Sequence, residues 1–314
     1  MEFSLSSKRI SLVLVLFLFE PRLCYGARKL ASLYEPPPMT LKYHKGALLE
    51  GKVPLSILWY GKFSSAQKSI VVDFLLSLKP LEQKKLLSSS TTPLVSKWWE
   101  TIETYMKKAG KNMTQFILTD QVTDETCSIG RTLKRPQISE LAHRVISKPG
   151  GLTLVLTADD VGVEGFCMSN CGFHGSDSKA KSVFIWVGNS VTQCPGQCAW
   201  PFHQPIYGPQ GAPLGAPNGD VGVEGMVVNI ASLLAATVTN PFGNGYFQGP
   251  AEAPLEAASA CPGVYGKGAY PGYAGELLID ATTRASYNAI GSNGRKYLLP
   301  ALFDPNTSQC TTVV

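Results

Sequence analysis

Histidine is scarce in this chain: His44, His143, His174 and His203 are the only four among 314 residues. That leaves few ways to assemble a Ser-His-Asp mechanism. No Gly-x-Ser-x-Gly elbow occurs either, since Ser69, Ser190 and Ser259 lack the flanking glycines. No phosphate loop is present, and no Gly-x-Gly-x-x-Gly follows an expected strand, so nucleotide cofactors are not indicated. Charge is sparse, 16% of residues with a net +5, and the basic residues are scattered rather than striped. Nucleic acid is therefore not an expected partner. After the first apolar run, the chain shows no segment that reads as a membrane span.

That first run is an address. Lys8 and Arg9 precede Ile10–Phe19, and the small-residue stretch Cys24-Tyr25-Gly26-Ala27 follows. Basic flank, short apolar core and cleavable end define a secretory signal peptide. A cut after Gly26 leaves residues 27–314 as one secreted domain, with no Lys-Asp-Glu-Leu type retention signal at its end. Seven of the eight cysteines remain once Cys24 is removed. In an oxidising compartment they are disulfide candidates first. Cys127, isolated in a polar loop, is the expected odd one. Cys167, Cys171, Cys194, Cys198, Cys261 and Cys310 then allow fifteen connectivities, among which sequence does not choose. Asn112-Met113-Thr114 and Asn306-Thr307-Ser308 are glycosylation acceptors if exposed.

Tyr34–Thr40 reads as an extended proline-rich lead-in and Pro80–Pro93 as a polar loop. Val53–Tyr60, Gln115–Val122, Leu152–Ala158 and Val183–Val187 read as strands. Helices are expected from Ser64 or Ser65 to Leu78, over Val95–Lys108 and over Ile138–Ile146. This alternation implies an α/β or α+β fold. Gly, Pro and aromatics dominate Pro195–Pro217 and Gly243–Gly275, long irregular runs that disulfides can pin. The hexapeptide DVGVEG occurs twice, at Asp160–Gly165 and Asp220–Gly225, with unlike flanks that argue against a duplication.

Met226–Val238 organises the rest. It is apolar on every side, with only Asn229, Ser232 and Thr237 polar, so it must be buried. At ~13 residues it is helical in length and too short to cross a bilayer. Asp220 and Glu224 precede it and suit its positive end; Pro241 stops it. The expected architecture is a mixed sheet around this central buried helix, with a disulfide-stapled C-terminal half.

Several long stretches resemble one family. FCMSNCGFHGS (Phe166–Ser176), FIWVGNSVTQCPGQCAWPFHQPIYGPQ (Phe184–Gln210) and APNGDVGVEGMVVNIASLLAATVTNPFGNGYFQGP (Ala216–Pro250) carry the resemblance. So do APLEAASACPGVYG (Ala253–Gly266), YPGYAGELLID (Tyr270–Asp280), GRKYLLPALFDP (Gly294–Pro305) and the lead-in Tyr43–Leu78. Together they are similar to the plant EXORDIUM-like family, the phosphate-induced proteins. The resemblance covers nearly all of the mature chain and departs at Cys127. It implies a secreted, apoplastic cell-wall protein tied to cell expansion, brassinosteroid-dependent growth and carbon status. It implies no reaction and no cofactor.

The end of the helix, LAATVTNP, also resembles a metal-peptidase pattern, His-Glu-x-x-Glu-Ala-x-Thr-Asp-Pro. Aligning the Thr-x-Pro ends puts Ser232, Leu233 and Ala236 where that pattern has its His, Glu and second acid. None can ligate zinc or activate water, so a zincin-like fold here would be degenerate. Cys167, Cys171, His174, Cys194, Cys198 and His203 could hold zinc in a reducing compartment; in a secreted chain disulfides take precedence. His174 and His203 then read as structural, and His143 as a surface residue. Carboxylate pairs for glycoside hydrolysis would be Asp159 with Asp160, or Glu164 with Glu224 or Glu256. A non-catalytic alternative is binding. Trp200, Tyr207, Tyr246, Tyr265, Tyr270 and Tyr273, with Phe247, lie in Gly/Pro-rich loops and could stack on a wall polysaccharide, or meet a peptide or receptor ectodomain.

Overall fold

The computed structural model describes residues 38–79, 92–145, 150–168, 170–177, 182–250 and 253–314. The expected signal peptide, most of the proline-rich lead-in and most of the polar loop lie outside them. The run of β-formers at Val53–Tyr60 lies within β1 (Gly51–Tyr60), whose last six residues are all buried. A capping box at Ser64 and Gln67 starts α1 (Ser65–Ser77). There follow α2 (Val95–Lys108), β2 (Thr114–Asp124), α3 (Arg135–Val145), β3 (Leu152–Thr157), β4 (Gly172–Asp177), β5 (Ser182–Gly188) and α4 (Val221–Thr239).

The five strands make one mixed sheet in the order β2-β1-β3-β5-β4, parallel except for β4, which pairs antiparallel with β5. The chain moves one way from β1 to β2 through α1 and α2, then back over β1 to β3 through α3. Right-handed crossovers in opposite directions place their helices on opposite faces. Accordingly α3 packs on β1, β3 and β5, while α1 and α2 meet α4, which itself lies on β5 and β4. Met39–Val314 is a single compact unit.

The edge strand β4 was not legible. Its sequence, GFHGSD, has two glycines and no β-branched residue, the opposite of strand propensity. Those glycines are what the packing needs. A Cβ on Gly172 would meet the Trp186 carbonyl and Leu233, and one on Gly175 would meet the Phe184 ring.

The central helix begins earlier and is longer than its apolar run. Asp220 is its N-cap, accepting from Val223 N at 2.9 Å, and Glu224 lies inside its first turn rather than before it. Gly222 and Gly225 disguise this turn, because glycine is a poor helix former. With 19 residues the helix has the length and apolarity to cross a membrane, contrary to the shorter sequence estimate. In this fold 15 of the 19 are buried among sheet and helices. Its hydroxyls bond back into the helix: Ser232, Thr237 and Thr239 donate to the carbonyls of Val228, Leu233 and Ala235.

Of the two DVGVEG copies, Asp220–Gly225 starts this helix, whereas Asp160–Gly165 forms a turn around the two-residue strand Gly162–Val163. Gly165 has φ +82° and ends that turn. Identical hexapeptides thus adopt different structures, with tertiary context deciding.

The six cysteines pair as Cys167–Cys194, Cys171–Cys198 and Cys261–Cys310. The first two bridges clip the chain before β4 to the turn after β5. The third holds the C-terminal hairpin, Leu302–Asp304 against Gln309–Thr311, to the loop after α4. Cys127 is free. It is buried within its polar loop, whose backbone the Tyr60 hydroxyl holds by donating to the Gly130 carbonyl and accepting from Ile129 N.

Gly225 gives a direct test of this packing. A Cβ there would lie 2.7 Å from the Cys198 carbonyl oxygen and 2.8 Å from Ala199 Cα and Cβ. An exposed mid-helix Gly→Ala change stabilises by about 1 kcal/mol. Here overpacking reverses the sign, and Gly225→Ala is expected to cost about 1–3 kcal/mol in a urea melt.

Candidate functional site

In an open α/β sheet the default ligand crevice lies beyond the carboxyl ends of the strands, where the chain reverses direction. Here that is between β1 and β3, and it is closed. A Cβ on Gly61 would be 2.6 Å from Ala158 Cβ. Ala158 N donates to the Tyr60 carbonyl, and the Tyr60 hydroxyl donates to the Gly130 carbonyl while accepting from Ile129 N.

On α4, Ser232 bonds back to its own helix and Ala236 is buried. Leu233 points at β4, its Cδ1 filling the space a Gly172 side chain would take. A hydrocarbon therefore plugs the gap between helix and edge strand. Among the described residues no three His, Cys, Asp or Glu side chains converge as a metal site. The four cysteines of the Cys/His set are consumed in disulfides.

One histidine has acquired an unexpected partner. His174, on β4, places Nε2 3.2 and 3.3 Å from the two oxygens of Glu256. Asn240, the residue that caps the end of α4, donates its side-chain amide to the same carboxylate at 2.7 Å. Its own side-chain oxygen accepts from Gly245 N. Glu256 is buried, and its N–H donates to Ser259 Oγ. The cluster joins edge strand, helix end and the following loop. Among the described residues His174 Nδ1 is buried with no partner. The structural reading of His174 thus gains a concrete role. His203 is exposed beside the groove described below, and His143 is exposed near Asp177.

The glycosidase carboxylates do not assemble. Glu224 and Glu256 mark opposite ends of α4. The 16 residues from Glu224 to Asn240, at ~1.5 Å each, separate those ends by about 24 Å, against about 5–9.5 Å for a working pair. Glu164 is exposed at the start of α3, on the other face of the sheet, accepting from Arg135 N. Asp160 is taken by an ion pair with Arg131. Glu224 is notable for another reason. Burial pushes its carboxyl up from 4.5 to about 7, against the downward pull of hydrogen bonds from the Asn218 backbone and side-chain amides.

The loop aromatics divide. Tyr246 is core, stacked on Tyr43 and edge-on to Tyr105, and Tyr265 is buried beneath Trp200. Neither can meet a ligand, which corrects the sequence expectation for both; Gly/Pro-rich surroundings do not reveal which way a ring faces. Trp200 and Tyr273 instead line an open groove of about 170 Å³. Its walls are prolines, among them Pro201, Pro205, Pro209 and Pro213, with His203 at the side. Tyr207 and Tyr270 are exposed on the same loops, and Ile206 with them. Phe202, Tyr265 and Leu298 form a small second core beneath, against Val228 of α4. Asn112 and Asn306 are both exposed, and the Asn112 amide donates to Glu50.

These features define a disulfide-stapled α/β protein with a closed sheet crevice and an aromatic surface groove. A model of the phosphate-induced protein 1 conserved region matches residues 41–313. The protein PHOSPHATE-INDUCED 1 of Nicotiana tabacum is 55% identical over 93% of this chain and 94% of its own length. Protein EXORDIUM of Arabidopsis thaliana is 54% identical over 96% and 98%, and Protein EXORDIUM-like 2 of the same plant is 50% identical over 90% and 93%. No solved structure matches the chain. The chain belongs to the phosphate-induced protein 1 family, which includes EXORDIUM.

Proposed function

We propose that this protein is secreted to the cell wall and acts there without catalysis, binding a wall polysaccharide through the groove at Trp200 and Tyr273. The observation that carries this reading is that Trp200 and Tyr273 both line one groove walled by prolines. Flat rings on rigid loops stack on sugar faces, and proline walls lose little entropy when a ligand orders them. The family resemblance adds the setting: a wall protein in cell expansion and growth, linked to brassinosteroid and carbon status. A degenerate zincin-like helix is part of this reading: Leu233, aligned with the Glu of the metal-peptidase pattern, packs as a hydrocarbon against Gly172 of β4.

The test is retention of the secreted protein on insoluble cellulose, hemicellulose and pectin fractions. Trp200→Ala is expected to weaken retention on at least one fraction about tenfold, a loss of ~1.4 kcal/mol. Equal retention of both proteins, with the three disulfides intact, would remove the groove from the account. Capture of a receptor ectodomain or a peptide in place of any glycan would redirect the proposal to those partners.

A further inference from the structure

The chain places two tyrosine rings in contact on an exposed tight turn. Tyr270-Pro271-Gly272-Tyr273 is closed by two backbone hydrogen bonds, Tyr270 N to Tyr273 O at 3.1 Å and Tyr273 N to Tyr270 O at 2.8 Å. Proline at the second position and glycine at the third suit a type II turn, and Gly272 has the required positive φ, +93°. The Pro209 ring lies against Gly272 and buttresses the turn. The two phenol rings are 5.1 Å apart between centroids, at 39°. Tyr270 is 64% exposed and Tyr273 39%. Among the described residues neither hydroxyl has a hydrogen-bond partner.

We infer that Tyr270 and Tyr273 are a site of oxidative coupling, forming an intramolecular dityrosine when the protein meets hydrogen peroxide and a haem peroxidase. In the coupling each phenol gives up one electron and one proton to become a phenoxyl radical. The two radicals join through a new carbon–carbon bond between ring positions ortho to the oxygens. The hydrogens on those carbons move to the oxygens, restoring both phenols. The pair loses two hydrogens overall, and one peroxide is reduced to two waters. The turn favours coupling within the chain because it supplies each ring with a partner already in contact, so no second chain has to diffuse in.

Another tyrosine pair in the fold serves as an internal control. Tyr43 and Tyr246 are closer, 4.7 Å between centroids, and better stacked, at 18°. Tyr246 is buried, however, and the two hydroxyls donate to the carbonyls of Gly46 and Tyr105. Proximity alone would select that pair; proximity with exposure selects Tyr270 and Tyr273. Coupling would fix the Tyr273 ring at the rim of the groove. The inference does not depend on what the groove binds.

The experiment treats dilute, purified protein with horseradish peroxidase and hydrogen peroxide, isolates the monomer, and digests it with trypsin. Cleavage after Lys267 and Arg284 releases residues 268–284, which contain these two tyrosines and no other. The expected product is this peptide lighter by two hydrogens, with dityrosine fluorescence in the monomer fraction. Tyr270→Phe and Tyr273→Phe should each abolish both signals, and Tyr43→Phe should leave them unchanged. Dityrosine found only in covalent dimers, as through Tyr207, would overturn the inference. So would a signal that survives Tyr270→Phe, or none under conditions that couple free tyrosine.

Discussion

Replacing Glu256 with alanine is expected to lower folding stability by about 2–5 kcal/mol, because it leaves two buried hydrogen-bonding groups unmet at about 1–3 kcal/mol each. The carboxylate accepts from Asn240 at 2.7 Å and faces His174 Nε2 at 3.2 Å, inside a site only 8% exposed at the glutamate side chain. Alanine leaves the Asn240 amide and the His174 ring without this partner, and burial makes such unmet groups costly. The damage should reach beyond the loop, because Asn240 caps α4 and His174 belongs to the edge strand. Glu256→Gln keeps an oxygen for Asn240 and should cost only about 1 kcal/mol. Urea unfolding of the two variants beside the parent protein checks the ordering. Equal, small losses would show that the cluster does not tie helix end to strand.

The second large effect is a dependence on pH. Glu224 has its carboxyl raised from 4.5 to about 7, chiefly by burial in the first turn of α4. A carboxyl that binds its proton more tightly when folded stabilises the fold below the unfolded pKa, and that stability is lost as pH rises through the folded one. The window is therefore pH 4.5 to about 7, with acid favoured, and its full size is on the order of 3 kcal/mol at ~1.36 kcal/mol per pH unit. Glu224→Gln retains an oxygen to accept from Asn218 but carries no charge. The variant should match the parent near pH 4.5 and exceed it by roughly that amount above pH 7. Thermal melts across this range decide the matter. A stability difference that does not change with pH would place the proton elsewhere.

Much of the scaffold was legible because its signals are local. β1, β3 and β5 are runs of β-formers, α1 carries its own capping box, and α4 is apolar all round. What was hidden depends on partners distant in the chain. β4 exists because β5 pairs with it and because Gly172 and Gly175 admit Trp186 and Phe184. Glu224 looked like a flanking charge because Gly222 and Gly225 obscured the first helical turn. Those glycines are there to admit Asn189 and the Cys198 loop. His174 and Glu256 are 82 residues apart, so no spacing rule joins them. Burial of Tyr246 and Tyr265, against exposure of Tyr207 and Tyr270, is likewise set by the fold and not by the loops' composition. Of the three bridges, Cys167–Cys194 and Cys171–Cys198 lie where β4 and β5 run side by side, which brings their halves together, whereas Cys261–Cys310 depends on the C-terminal hairpin.

The proposed non-catalytic reading rests on the likeness of LAATVTNP to a metal-peptidase pattern, an alignment that sets Ser232, Leu233 and Ala236 against that pattern's ligands and base. The measurement that bears on it most directly is a zinc titration of the purified protein, read alongside cleavage of a mixed peptide substrate with and without a chelator. The account predicts no stoichiometric zinc and no chelator-sensitive cleavage. One tightly held zinc per chain, with peptide cleavage that the chelator stops, would contradict it.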